Sequence, residues 1–463
     1  MTAYQMYHAH VAQVLSRLHA TEDSEVCPPS RAPPGLSAKA VRPLPVDLLA
    51  SAGVPSNPAF MNLTAAQLRR WQIARLPSSP NATITGGRLS ATVFLPDAHR
   101  GYYRSSRFDW GSMVGHIVLE VPNSGGNKTV TLCTSVRPRP HRPLATDHVI
   151  GLASEFGCGV HGAFCRVSGE PVASNGVFGY GNAGPGGTFL KLGVGRLVRP
   201  AKLRTDGFAY NFTWPYEFSE APPRWRVQRL ENGTGVVLQH AVEHARWGMA
   251  TRRKVSACGH PGKSPALCVD LRLTNTGQTA LRMPYASGHG FNMLRGPATG
   301  PGFAVSFWVP GSATFQDHAV PTNATASRAA RAKPVAPAMA PAAWATPMAR
   351  IADLFLRPAG HLGLSRIRVN RRLGENEVAS ANFHVNHTWD GRFTVVLPAA
   401  QGWSLVVHHT LWRDEAARRS GWFGFNVRIS RRAVAPRPYL LFDLEPGQSV
   451  EVAHRYEFGW RRS

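Results

Sequence analysis

No run of about 18 apolar residues occurs in the 463-residue chain, so the sequence carries no membrane-spanning helix. Lysine is scarce, seven residues against 45 arginines, and acidic residues number only 27, leaving a formal net charge of +25. Such an excess ordinarily points to nucleic acid or an anionic surface. Here the arginines are scattered, and no zinc finger, RNA-recognition signature or basic helix accompanies them. Coding bias toward Arg and Ala explains that spread, so nucleic acid is not an expected partner. Cysteine is also sparse, with Cys27, Cys133, Cys158, Cys165, Cys258 and Cys268. None has zinc-finger spacing, and neither a metal site nor a cofactor is expected. Cys158/Cys165 and Cys258/Cys268 are close enough to close small loops as disulfides, with buried free thiols as the alternative. The first 27 residues lack a secretory hydrophobic core, because Ala3 to Ala20 is interrupted by Gln, His and Arg. Against that, Asn-x-Thr sequons stand at Asn62, Asn81, Asn127, Asn211, Asn232, Asn323 and Asn386. Chance placement gives roughly two or three, so the count favours the secretory pathway over the cytoplasm.

What is present describes a globular protein: 43% hydrophobic and 17% charged residues, with ample material for a core. Residues 4–20 have rough helical spacing, 24–58 read as a Pro/Ala-rich linker, and Leu63 to Arg75 reads as a second short helix. The boundary is therefore set at 83, with an N-terminal helical and linker segment before it. From Ile84 onward short apolar runs alternate with Gly, Pro and Asn punctuation, at 90–95, 113–121, 189–195, 235–240, 267–274, 404–410, 439–444 and 449–458 among others. Many short strands without long helical patterns predict a mostly antiparallel β sandwich or barrel over 84–463. Residues 324–350 are Ala/Pro/Arg low complexity and read as an insertion between strands. The glycine-rich stretch Gly176 to Gly187 has no strand–loop–helix context and is rejected as a phosphate cradle.

The stretch most loaded with chemistry runs from Tyr102 to Leu119, a polar turn entering an apolar strand. Arg107 and Asp109 flank Phe108, and along an extended chain they point to the same side. An anion-binding fork beside a carboxylate suits sugar hydroxyls. A structural ion pair bracing a strand end is the alternative.

Arg107-Phe-Asp-Trp-Gly resembles the Arg-Phe-Asp-Trp-Ser-Gly signature of aldose 1-epimerase-like proteins in the galactose mutarotase superfamily. Similar matches follow in the family's order: Gly151-Leu-Ala-Ser-Glu155-Phe, Phe189-Leu-Lys-Leu-Gly-Val-Gly, Leu273-Thr-Asn-Thr-Gly277, Tyr285-Ala-Ser-Gly-His289-Gly-Phe-Asn292, and Pro436-Arg-Pro-Tyr439 with Leu444-Glu-Pro-Gly447 and Tyr456-x-Phe458. Each is weak alone; six in order are specific. The resemblance implies one antiparallel β-supersandwich with a sugar cleft on its concave face, taking a mono- or oligosaccharide. Mutarotation needs a base at the anomeric hydroxyl and an acid at the ring oxygen. On that template His289 is the acid and Glu155 the base, while Arg107, Asp109, Asn292, Arg437 and His148 hold the sugar. His116 is a weaker second histidine, and His384 with His387 forms an incomplete metal pattern. One departure matters. The closing Pro-Glu-Pro of the family reads Pro436-Arg437-Pro438 here, and arginine is no base near neutral pH. A carbohydrate-binding relative without turnover is therefore the second reading. Arg437 either faces the cleft and favours an acidic saccharide, or turns outward to pair with Glu445 or Asp443.

Overall fold

The structure is a computed structural model. It describes residues 79–121, 129–133, 151–157, 176–200, 210, 216–222, 224–259, 263–291, 301–309, 315–317, 352–355, 363–373, 378–383, 389–398, 403–420, 422–430 and 433–462. The helices and linker expected before residue 76, the 324–350 insertion, His148, Asn292, His384, His387, Cys27, Cys158 and Cys165 lie outside these residues. So do five of the seven sequons, Asn81 and Asn232 being the two described.

Period-two alternation builds most of the strands. In Ser449–Arg462 it turns Val450, Val452, His454, Tyr456 and Phe458 inward between half-exposed neighbours. The strands, numbered along the chain, form two large sheets and one small one, paired antiparallel throughout, with register shifts in β2–β3 at Ser90/Thr92 and in β21–β22 at Trp422/Gly424. The first sheet runs β1 (Asn81–Gly86), β2 (Leu89–Phe94), β3 (Val114–Glu120), β5 (Leu152–Phe156), β13 (Leu281–His289), β22 (Val434–Leu444), β21 (Trp422–Ser430), β18 (Val378–Phe383) and β15 (Phe315–Asp317), with β4 (Thr129–Leu132) on β3. The second runs β16 (Ala352–Phe355), β17 (Gly363–Val369), β14 (Ala304–Val309), β19 (Phe393–Pro398), β20 (Trp403–Arg413), β23 (Ser449–Arg462), β12 (Ala266–Asn275), β11 (Trp247–Ala257), β10 (Gly235–His244) and β9 (Arg226–Arg229). The small sheet is β6 (Val177–Phe178), β7 (Thr188–Lys191) and β8 (Gly195–Val198). The fold is thus the antiparallel β sandwich expected, its first strand starting at Asn81, three residues before the expected boundary.

Two apolar layers hold it together. The larger lies between the big sheets and draws Val114, Phe156, Tyr285 and Phe442 from one and Val255, Leu271, Val407 and Tyr456 from the other. The smaller joins Phe108, Trp110, Ala153, Tyr180 and Phe189 over the opposite side of the first sheet. Because both sides are covered there, β5 is buried at all five residues and β22 at ten of eleven. Polar side chains on these strands are consequently taken out of water and must find partners.

Among the described residues no helix is long and apolar enough to cross a membrane. Cys258 and Cys268 are joined by a disulfide with Cα atoms 5.8 Å apart, as their spacing suggested. Cys133 is a buried free thiol.

Candidate functional site

Register brings the scattered sequence motifs together. On β13, Ala286 stands opposite Glu155 of β5 on one side and Tyr439 of β22 on the other. Residues opposite one another share a sheet face, so Glu155 and Tyr439 flank a small alanine on the outer side of the first sheet. The bridge Phe291–Val434 continues this register and sets Gly288 opposite Arg437. Arg437 is two residues from Tyr439 and therefore shares its face, with Asn426 of β21 as its other neighbour.

Arg107 reaches this face from the turn before β3. Its Nε donates to both oxygens of Glu155, at 3.1 Å each, with the two side chains 1% and 5% exposed. The Tyr103 hydroxyl steadies the same turn by accepting from the backbone N–H groups of Arg107 and Phe108, at 3.1 and 3.0 Å. Burial pushes that phenol up to about 12, so it remains protonated. Lys191 of β7 is fully buried beside the pair and donates to the Phe156 carbonyl at 2.8 Å. Desolvation lowers its ammonium to about 8, against the raising influence of Glu155 and Asp109. Arg437 is lowered first by desolvation and then by the charge of Arg107. Burial raises the Tyr439 phenol while Arg437, to which it is hydrogen-bonded, pulls the other way.

On the inner side of the same strands a second polar system threads the core. The carboxylate of Asp109 caps the 3-10 turn Trp110–Ser112, accepting from the Gly111 N–H at 3.0 Å and from Arg253 Nη2 at 2.5 Å. Gly193 permits this approach: it has φ +74, and a Cβ there would lie 2.8 Å from the Asp109 Cβ. Arg253 Nη1 donates to Ser154 Oγ, 3.0 Å away, and Ser154 Oγ lies 3.0 Å from the Tyr285 hydroxyl. Beyond it His454 Nε2 is 3.1 Å from Ser287 Oγ, and His454 Nδ1 is 3.0 Å from His409 Nε2. His409 Nδ1 lies 3.2 Å from the Gly391 carbonyl. A carbonyl only accepts, which fixes the order of protons. His409 donates through Nδ1 to Gly391 and accepts at Nε2 from His454 Nδ1, and His454 Nε2 accepts from Ser287. Both rings are neutral in this arrangement. Burial holds His409 down at about 3 and His454 well below its ordinary value.

No protein-family model matches the chain, and no curated protein matches it in sequence. Solved structures do. The chain is similar to a galactose mutarotase-like protein from Lactobacillus casei (9% identity, 82% of this chain and 100% of that one, TM-score 0.40). It is similar also to a galactose mutarotase-like protein from Clostridium acetobutylicum (9%, 83% and 99%, 0.34) and to an aldose epimerase homologue from C. elegans (12%, 82% and 99%, 0.32). At these values the likeness concerns the fold and says nothing about the site.

Of the expected site residues, Arg107, Glu155 and Arg437 come together on one face. Asp109 does not join them. The extended reading sets it beside Arg107, but the backbone bends over 105–108, and Asp109, itself extended at φ −66 and ψ 123, passes to the inner side of β5 to pair with Arg253. The fork and carboxylate on one surface are therefore Arg107 and Glu155, 48 residues apart. His289 closes β13 opposite Leu152, in the strand next to Glu155. His116 is exposed on β3, edge-on to Phe94. The outward alternative for Arg437 fails: it is 6% exposed, while Asp443 pairs with Arg282 at 3.4 Å and Glu445 sits in an exposed turn. Sequence reasoning missed Lys191 and Tyr439, although both stand inside the quoted motifs, and it missed Arg253, whose Thr-Arg-Arg-Lys setting reads as solvated. Among the described residues no group of three His, Cys, Asp or Glu side chains is placed to hold a metal ion. An open depression of about 400 Å³, lined by Gly179, Asn182, His244 and Trp247 among others, shares no residue with the cluster.

Proposed function

We propose that this chain is an aldose 1-epimerase-like protein that binds a saccharide over the outer face of the first sheet, and that Glu155 serves there as a fixed acceptor and not as a proton-transferring base. One observation carries the reading: both Glu155 oxygens accept from Arg107 Nε in a buried pair. A general base must take up a proton as the reaction proceeds. Protonating Glu155 would leave Arg107 as an uncompensated buried cation, which opposes that step. The neighbouring position, where the family it resembles carries a glutamate, is occupied by Arg437, which has no lone pair to offer. The set that remains, a carboxylate, two guanidiniums and a phenol, suits holding hydroxyl groups.

A second reading keeps His289 as acid and Glu155 as base, in an enzyme interconverting anomers. The register opposes it: His289 and Glu155 stand on adjacent strands, β13 and β5, three rows apart, and an odd offset puts the two positions on opposite sides of the sheet. Proton NMR on freshly dissolved α-galactose with the full chain separates the two. Saturable binding with anomer exchange at the buffer rate supports the binding protein, and exchange accelerated 100-fold or more establishes the enzyme. Failure to bind neutral and acidic sugars alike refutes both.

We further propose maturation in the secretory pathway, which the Cys258–Cys268 disulfide and the exposed sequons at Asn81 and Asn232 support. Glycosidase treatment of secreted material should release glycan from both asparagines; bare asparagines refute it.

A further inference from the structure

We propose that Arg437 holds the anionic group of an acidic saccharide, a carboxylate, sulfate ester or phosphate ester carried on the sugar. This deepens the saccharide-binding reading and rests on it.

Charge within the cluster is unbalanced. Arg107 is matched by Glu155 and Arg253 by Asp109, and Lys191 is bonded to a backbone carbonyl. Arg437 has no ion-pair partner among the described residues, although it is 94% buried by its 6% exposure. Its Nε and Nη1 are both buried without a hydrogen-bond acceptor among those residues. A guanidinium removed from water in this state is unfavourable unless an oxyanion meets it. Among the described residues none is free to do so: Glu155 is committed to Arg107, and the Tyr439 hydroxyl is held protonated by burial.

Nε and Nη1 open on two different edges of the guanidinium, each edge shared with Nη2, and an oxygen of a carboxylate, sulfate or phosphate on either edge meets one of them. The strip beside it is made of Ala153, Ala286 and Gly288, so no bulky side chain of β5 or β13 stands between Glu155 and Arg437. Arg107 adds a second positive charge nearby, as its effect on Arg437 shows. A neutral hexose brings only hydroxyl groups, which leave that charge uncompensated. An acidic one neutralises it while its hydroxyls meet Glu155 and Tyr439.

The test is calorimetric titration of the full chain with galactose, galacturonate, galactose 6-sulfate, galactose 6-phosphate and inorganic sulfate, on wild type, Arg437→Gln and Arg437→Met. At least one acidic sugar should bind wild type tenfold or more tightly than galactose, and both variants should lose that preference. The arm that binds tightest identifies the acid. Equal affinity of wild type for galactose and all three acids overturns the proposal and leaves the saccharide reading standing. Inorganic sulfate binding as tightly as the best sugar, with galactose silent, overturns both. The wild-type arms decide these outcomes even where a variant fails to fold.

Discussion

His240→Phe should make the protein both more stable at neutral pH and less sensitive to acid. His240 lies in β10, 4% exposed, stacked on Trp225 with ring centroids 4.3 Å apart and planes 8° from parallel. Neither ring nitrogen meets a hydrogen-bond partner among the described residues. Desolvation lowers its pKa from 6.5 to about 4. The folded state therefore binds the proton more weakly than the unfolded chain. Stability from the neutral ring is complete above about pH 6.5 and is lost as pH falls toward about 4. Over the whole window, 2.5 units at about 1.4 kcal/mol each give about 3 kcal/mol, of which about 2 kcal/mol is lost between pH 7 and pH 5. Phenylalanine keeps the stack and removes two orphan polar atoms, each group of this kind costing about 1–3 kcal/mol. Urea unfolding of wild type and variant at pH 7.0 and 5.0 measures both effects. The variant should gain about 1 kcal/mol or more at pH 7 and lose about 2 kcal/mol less than wild type on acidification. His409 and His454 titrate in the same direction in both proteins, so the difference isolates His240. An identical acid slope in the two proteins refutes the burial argument, and a variant weaker at pH 7 shows that the nitrogens have partners.

Arg253→Met strands the Asp109 carboxylate in the core and should cost about 3–5 kcal/mol in urea unfolding, with Asp109→Leu/Arg253→Met recovering most of it. A loss below about 1 kcal/mol would show that the pair is replaceable one partner at a time. His289→Ala should leave saccharide affinity within about threefold and the thermal midpoint within a few degrees. A fall in anomer exchange of about 100-fold or more would instead install His289 as the acid of an enzyme. Reducing Cys258–Cys268, which closes a loop of separation 10, should cost about 3 kcal/mol by chain entropy. Peptide mapping should find those two linked and Cys133 alkylated only after denaturation, because burial both shields the thiol and raises its pKa.

Local pattern determined the antiparallel β class and the positions of strands such as β10, β12, β20 and β23, whose alternation matches their burial. Local sequence also singled out Arg107 and set Cys258 beside its partner, while the motif resemblance added Glu155 and Arg437 to the candidates. Strands β5 and β11 escaped it for one physical reason. Glu155 and Arg253 look like solvated residues, and they are buried only because Arg107 and Asp109 reach them from 48 and 144 positions away. Covering a sheet on both sides erases the alternation by which a strand is read, and that covering belongs to tertiary packing. The bend over 105–108, which sends Asp109 to one side of β5 and leaves Arg107 on the other, likewise depends on Gly193 and Arg253 being there to receive it. The sequence by itself supplied the charged groups; which cation would be left without a counter-ion was decided by the register that set Arg437 beside Gly288, Tyr439 and an already occupied Glu155.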